Sequence, residues 1–336
     1  MSSVQSETVQ YDQLFSLTER ARRDRISDNI GNSQPTLDIF HAAGRVEVES
    51  GGESIEERLL YAYQDVEWMS DRQAVSTSDK EGVTKAVYPW RFALAPVNIA
   101  KTDEAKAMKS ETSAMDFSES KIVQARQGLR TAVNTAMCGL ASGKVMLGFQ
   151  DLVRDDNDAG TLGGIDLSSS SNSWFRNQAD TSSTTFTTQT VATIYNGWAA
   201  LSDLYETCSD INEEATHIGA GSTLYSKMLQ TLEGTNYTRF MGGEKKKLNA
   251  GGQSVGSGPG FRSAIIYKDR AFASSHIYIF NINTLKLKVL RGMNFQKTNF
   301  TDMQAVGVMA KVCFYMVGLQ FVGCDPRRNG VATTVS

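Results

Sequence analysis

Two stretches decide how this chain is read: Tyr61-Ala-Tyr-Gln-Asp-Val-Glu-Trp-Met69 and Val83-Thr-Lys-Ala-Val-Tyr-Pro-Trp-Arg-Phe-Ala-Leu94. Both carry apolar and polar residues in rough alternation, the period of a half-buried strand, and Pro89 confines the second to an edge because it cannot donate a ladder hydrogen bond. Between them, Ser70 to Gly82 is polar apart from Ala74 and Val75, and charges run along the whole segment at Asp65, Glu67, Asp71, Arg72, Lys80, Lys85 and Arg91. The spacing predicts an extended hairpin over 61–95. Two strands alone are marginal in water, so Trp68, Tyr88 and Trp90 need cover. That cover is either the rest of the same domain or another surface.

Working outward, Asp116 and Glu119 form a plausible capping box and Gly143 a plausible stop. They bracket a helix of about 25 residues with Ile122, Leu129, Val133, Ala136, Met137 and Leu140 on one stripe and Lys121, Gln124, Gln127 and Asn134 opposite. Ala305 to Gly323 is long and apolar enough to raise the question of a membrane span. Lys311 near its centre opposes insertion. Two apolar faces of period two predict core strands over 306–322 instead. Residues 1–50 read as an arm poor in apolar side chains, which must lie on something else to order. Its Arg20, Arg22, Arg23 and Arg25 are either a solvated helix face or a contact for an anionic partner such as packaged DNA or an acidic scaffold.

Beyond a boundary near Asp151 come Gly-, Ser- and Asp-rich loops. A helix is expected from Val191 to Tyr205, a strand at Thr216–Ile218, a helix capped by Ser222 and ended at Gly234, and a glycine-rich loop over 242–260. Strands follow at Ala264–Lys268, Ile277–Ile282 and Leu285–Leu290, the last two joined through Asn283-Thr284 as a tight hairpin. The region 151–295 is therefore expected as an insertion between the long helix and the closing strands.

The 336 residues suffice for about two cores, and a net charge of −3 gives no global basic field. Cys138, Cys208, Cys313 and Cys324 lie far apart with no CxxC pair, against a disulfide framework or structural zinc and for free buried thiols. The polar first ten residues carry no apolar signal region. Apparent catalytic motifs fail in detail. Gly139-Leu-Ala-Ser-Gly-Lys144 lacks the first glycine of a phosphate loop, which is Cys138, and the metal-binding hydroxyl, which is Val145. Ser118-x-x-Lys121 has its companion motifs in the wrong order or incomplete. His41, His217 and His276 have no sequence-near partner; a hydrolase using His217 or His276 stays as the reading from another class. No cofactor and no metal is implied. What remains is the chemistry of association.

That order of elements resembles the major capsid proteins of tailed bacteriophages, the Hong Kong 97-type coat fold. The likeness is carried by Leu162-Gly-Gly-Ile-Asp166 with Asn172-Ser-Trp-Phe-Arg-Asn177, by Ala264-Ile-Ile-Tyr-Lys-Asp269 through Ile277-Tyr-Ile-Phe-Asn281 and Leu285-Lys-Leu287, and by the ending Asp325-Pro-Arg-Arg-Asn-Gly-Val331. It covers roughly 45–336. The resemblance implies an α+β fold. An N-terminal arm (1–50) leads to an extended hairpin loop (61–95) and a peripheral domain with a spine helix and sheet (51–60, 96–150, 296–336). An axial domain (151–295) is inserted. It further implies a self-assembling subunit of pentamers and hexamers in an icosahedral shell around double-stranded DNA, built in the bacterial cytoplasm and located in the virion. Scaffolding, portal and decoration proteins are its other implied partners, with no membrane. Without a long coiled-coil-like extension, a separate scaffold or none is implied. The residues expected at the subunit interface are Tyr63, Trp68, Arg72, Lys80, Lys85, Tyr88, Trp90 and Arg91. Some members crosslink a hairpin lysine to an asparagine; Lys80 or Lys85 with Asn329 are the only matches. A decoration or tail-tube protein is the alternative within the same class.

Overall fold

Alternating apolar side chains from Ala310 to Gly323 form one strand of 14 residues, buried along nearly all its length. The segment suspected of spanning a membrane is thus the centre of a sheet, and among the described residues no helix is long and apolar enough to cross a bilayer. The computed structural model describes residues 34–71, 78–103, 111–181, 191–209, 213–235, 260–304 and 307–333. In chain order the strands are β1 (Val46–Glu49), β2 (Ser54–Leu60), β3 (Val83–Pro89), β4 (Arg91–Ala100), β5 (Thr161–Leu162), β6 (Ile165–Asp166), β7 (Gln178–Asp180) and β8 (His217–Ala220). They continue as β9 (Gly260–Phe261), β10 (Ala264–Lys268), β11 (Ile277–Phe280), β12 (Leu285–Leu290), β13 (Gln296–Lys297), β14 (Thr301–Asp302), β15 (Ala310–Gly323) and β16 (Gly330–Ala332). The helices are α1 (Pro35–Ala42), α2 (Glu111–Cys138), α3 (Phe149–Leu152), α4 (Val191–Cys208) and α5 (Ser222–Thr235).

Two six-stranded sheets organise the chain. In the first, β15 pairs antiparallel with β4 over ten residues, from Ala310 opposite Ala100 to Leu319 opposite Arg91. Its other edge pairs with β12, which pairs in turn with β1 in parallel. The second sheet runs β7-β16-β11-β8-β10-β9. The hairpin expected between Ile277–Ile282 and Leu285–Leu290 does not form. The turn Ile282–Thr284 hands the chain from β11 in the second sheet to β12 in the first. The closing residues cross back, since β16 lies between β7 and β11. Sheet membership therefore departs from the expected boundaries: β12 falls within 151–295 and β1 within 1–50 yet both belong to the first sheet, β4 enters that sheet from inside 61–95, and β16 falls within 296–336 yet belongs to the second. One long strand, β15, replaces the expected pair over 306–322.

The long helix is there, but it begins at Glu111, so Asp116 is internal to it, and it ends at Cys138. Ile122, Leu129, Val133 and Met137 are buried as the stripe requires, whereas Leu140 lies beyond the helix end and is exposed. Asn134, expected on the polar side, is buried. It accepts from the Leu37 amide at 3.1 Å and donates to Asp269 at 2.9 Å. Asp269 also accepts from the Thr36 hydroxyl at 2.7 Å, so one buried carboxylate ties α1, α2 and the end of β10 together. Cys138 lies beside it, and burial with that neighbouring charge pushes its thiol well above the usual range. Residues 34–49 are thus less an arm than part of the core: Phe40 packs on Phe149, Phe280 and Phe321 at ring distances of 6.2, 6.1 and 5.3 Å. Cys138, Cys208, Cys313 and Cys324 form no disulfide; the first three are buried and Cys324 is half-buried.

Candidate assembly interface

The predicted hairpin exists, but one strand is displaced along the sequence. β2 is Ser54–Leu60, not Tyr61–Met69, and it pairs with β3 from Ser54 opposite Pro89 to Leu60 opposite Val83. The inward residues of β2 are Ile55, Glu57 and Leu59, and the inward-facing Glu57 charge is tolerated because a lysine meets it. Lys288 of β12, with its side chain only 8% exposed, holds Glu57 at 2.9 Å, Glu47 at 2.9 Å and Glu49 at 2.6 Å. Burial opposes the ammonium charge, but the three carboxylates outweigh it and raise the lysine above its usual range. The base of the hairpin is so clamped to the first sheet.

Tyr88 and Trp90, expected as exposed anchors, belong to this base. Tyr88 is fully buried and donates to the Gly323 carbonyl at 3.1 Å, while Trp90 is 9% exposed. Both lie in the subunit's own core and cannot serve as uncovered intersubunit anchors, because the hairpin base lies flat on β15 rather than standing free. Burial pushes the Tyr88 hydroxyl far above the usual tyrosine range. The Leu162-Gly-Gly-Ile-Asp166 stretch braces the base from outside: the Gly163 carbonyl accepts from the Val87 amide at 2.8 Å. Gly163 has φ +58°, and a Cβ there would come within 2.8 Å of Ala86 and 3.1 Å of the Tyr88 ring, so only glycine fits.

Past Leu60 the two arms continue without a regular ladder. The Tyr61 amide donates to the Gly82 carbonyl at 2.9 Å, Gln64 bonds Asp79 at 2.7 Å, and Lys80 pairs with Asp65 at 3.1 Å. Tyr61 stacks on Trp174, with ring centroids 5.2 Å apart, which fixes where the projection leaves the body. Gly82, which sequence reading passed over, is required at this root: a Cβ would lie 2.2 Å from the Ala62 carbonyl oxygen. Beyond it Tyr63 is 82% and Trp68 93% exposed, with Val66 and Met69 exposed beside them. Lys85 pairs with Glu56 at 2.8 Å on the outer face of the hairpin, and Arg91 is half-buried at the start of β4. Arg72 and the arginines at 20, 22, 23 and 25 lie outside the described residues.

Asn329, proposed as a crosslink acceptor, is fully buried. It donates to the Thr284 hydroxyl at 3.0 Å and the Asp325 carbonyl at 3.1 Å, and accepts from the Asn281 amide at 3.2 Å. Its amide is committed to the joint between the sheets and is out of reach of a lysine from another copy. His217 and His276 are likewise packed into the body of the subunit. His217 stacks on Phe280 at 5.6 Å and its Nδ1 lies 2.8 Å from the Thr216 hydroxyl, which itself bonds the Phe280 carbonyl and the Ile282 amide. Burial lowers its pKa to about 4. His276 stacks on Tyr278 and pairs with the Ser275 hydroxyl. Among the described residues no cluster of His, Cys, Asp and Glu has the grouping of a metal site.

No family model and no curated protein matches the chain. Solved structures do. The chain is similar to a subunit of the cyanophage A-1(L) capsid (15% identity, TM-score 0.64, covering 94% of this chain and 98% of that one). It is also similar to the capsid of an empty GTA particle (11% identity, TM-score 0.59, 93% and 94% covered). A third match is Mycobacterium phage Bobi (7% identity, TM-score 0.55, 93% and 95% covered). The fold is that of viral capsid subunits. More particularly, its mixture of helix and sheet matches the folds of those phage capsid chains.

Proposed function

We propose that this chain is the major coat subunit of a tailed phage, assembling into pentamers and hexamers of an icosahedral shell around double-stranded DNA. The observation that carries the reading is the end-to-end match to a phage capsid chain, 94% of this chain onto 98% of the other. The exposed hairpin tip supports it: Tyr63, Trp68, Val66 and Met69 present apolar surface that a lone subunit leaves in water, which is favourable only when another surface covers it. In this reading the first sheet with α2 is the peripheral part, the second sheet is the axial part, and the product is a virion component built in the host cytoplasm. Scaffolding, portal and decoration proteins would be its further partners. The role asks nothing catalytic of the chain.

Negative-stain electron microscopy and analytical ultracentrifugation of the purified chain test the proposal. Closed particles are expected as salt or crowding is raised. A species that stays monomeric through the whole range would overturn it.

A further inference from the structure

The chain passes from one sheet to the other at Ile282–Thr284, and the Thr216 hydroxyl sits in that crossing. It lies 3.3 Å from the Phe280 carbonyl and accepts from the Ile282 amide at 3.0 Å. Its third neighbour is Nδ1 of His217, at 2.8 Å. One hydroxyl proton cannot serve two acceptors. With that proton on the Phe280 carbonyl, the Thr216 oxygen takes the Nδ1–H of His217, and the other ring nitrogen, Nε2, carries a bare lone pair. Nε2 is closed to solvent and has no partner, and the whole residue is 6% exposed. The ring also borders the aromatic core that joins the sheets. It stacks on Phe280, Phe280 stacks on Phe40 at 6.1 Å, and Phe40 meets Phe321 of β15 at 5.3 Å. A second proton on this imidazole would place a charged N–H where nothing accepts it.

We infer that His217 is a proton-operated latch on this joint: the imidazole gains its second proton only when the contact of Thr216 with Ile282 opens, so acid opens the joint while the sheets stay folded. The inference does not depend on the coat reading. The surroundings offer no charge to hold an imidazolium in place. From β10, Tyr267 meets the ring edge-on at 6.3 Å, and burial keeps its hydroxyl neutral. Asp269, just past the end of that strand, is taken by Thr36 and Asn134, and the Cys138 thiol beside it is kept neutral by burial. From β11, Phe280 brings no charge. Asp151 of α3, the helix packed on Phe280 through Phe149, accepts from the Ala141 and Gly148 amides. Glu214, just before β8, accepts from the Tyr205 hydroxyl at 3.3 Å, and Arg45 is engaged with Asn283. Arg328 pairs with Asp325 and Glu213 at a rim next to Asn329, and those carboxylates titrate in their own range. A charge buried without a partner is expelled rather than kept.

Amide hydrogen exchange of the unassembled full chain across pH tests the latch, with rates corrected for the pH dependence of exchange itself. Closed, His217 titrates at about 4; opened, it returns to about 6.5, so the opened form takes the proton first. Protection of the Thr216, Asn281 and Ile282 amides should therefore fall about tenfold per pH unit from about 6.5 down to about 4, roughly 300-fold in all, and level off below that. Val317, in the middle of β15, should stay at least about tenfold better protected than these amides at every pH, since it opens only with the whole subunit. His217→Phe keeps a ring on Phe280 and removes the proton, and protection at its joint should be flat across the same range. A slope that survives in His217→Phe would assign the opening to the carboxylate rim and overturn the inference. Joint amides that share the rate of Val317 would overturn it as well, because the histidine would then be reached only by global unfolding. Should His217→Phe fail to fold, His217→Gln takes its place and is read against the same two outcomes.

Discussion

The base and the tip of the hairpin carry the same kinds of side chain and place them in opposite surroundings. At the base, Tyr88 and Trp90 are sealed against β15, the Tyr88 hydroxyl has its acceptor, and Glu57 is clamped by Lys288. At the tip, Tyr63 and Trp68 stand in solvent on two arms joined by a few polar contacts. An aromatic residue is an anchor of the fold or of an assembly according to whether a partner surface lies within its own chain. Here the division falls at Tyr61 and Gly82.

Breaking that comparison at the base should cost most. Tyr88→Ala removes a fully buried ring and strands the Gly323 carbonyl, and urea unfolding of the unassembled subunit should show a loss of about 3–5 kcal/mol. Lys288→Met leaves three carboxylates without their shared cation, with Lys286 still beside Glu47 at 3.2 Å. We expect a loss of about 2–3 kcal/mol at neutral pH, reduced by solvent access to two of them. The deficit should shrink as the pH falls through the carboxylate range and their repulsion is neutralised. A deficit independent of pH would refute the clamp.

His217 gives an acid limb of similar size. Its folded pKa, near 4, lies below its unfolded value near 6.5, so the unfolded chain takes up the proton first. Stability is therefore lost as pH falls from about 6.5 to about 4, by up to about 3 kcal/mol at 1.36 kcal/mol per unit. His217→Phe should flatten that limb in pH-dependent denaturation.

Gly82→Ala, at the junction, should cost about 1–3 kcal/mol by forcing the arms apart, and amide exchange at Tyr61 should quicken. Trp68→Ala, at the tip, should leave subunit stability within about 0.5 kcal/mol. A large drop there would erase the distinction between base and tip.

What the sequence made legible was whatever is written in local period. The long helix and the central strand follow from spacing of 3.6 and of two, and both form close to where they were expected. The displaced strand shows the limit. Tyr61–Met69 alternates well but enters no strand ladder, while Ser54–Leu60 hides its alternation because one inward residue is Glu57. Its compensating lysine lies at position 288, far outside any window. Asn134 was misplaced for the same reason, since polarity alone does not reveal the buried Asp269 that receives it. The Asn283-Thr284 turn carries a hairpin's local chemistry, yet which sheet each flanking strand joins is settled by β8, β15 and β16. Of the interface residues, Trp68 and Tyr63 were legible as needing cover, but Tyr88 and Trp90 were indistinguishable from them by composition.

The turn at Ile282–Thr284 and the return at Cys324–Asn329 cross between the sheets side by side, and Asn329 stitches one to the other. Strain applied to either sheet by its neighbours in a shell would pass to the other through these two short spans. These stitches are an amide and a hydroxyl closed to solvent, but they are flanked by partly exposed ion pairs of Asp325 with Arg327 and Arg328 and of Arg328 with Glu213, which salt screens. The placement of the two halves of the subunit, and with it the curvature of the proposed shell, is thus held by a buried stitch that salt does not reach and a charged rim that it does.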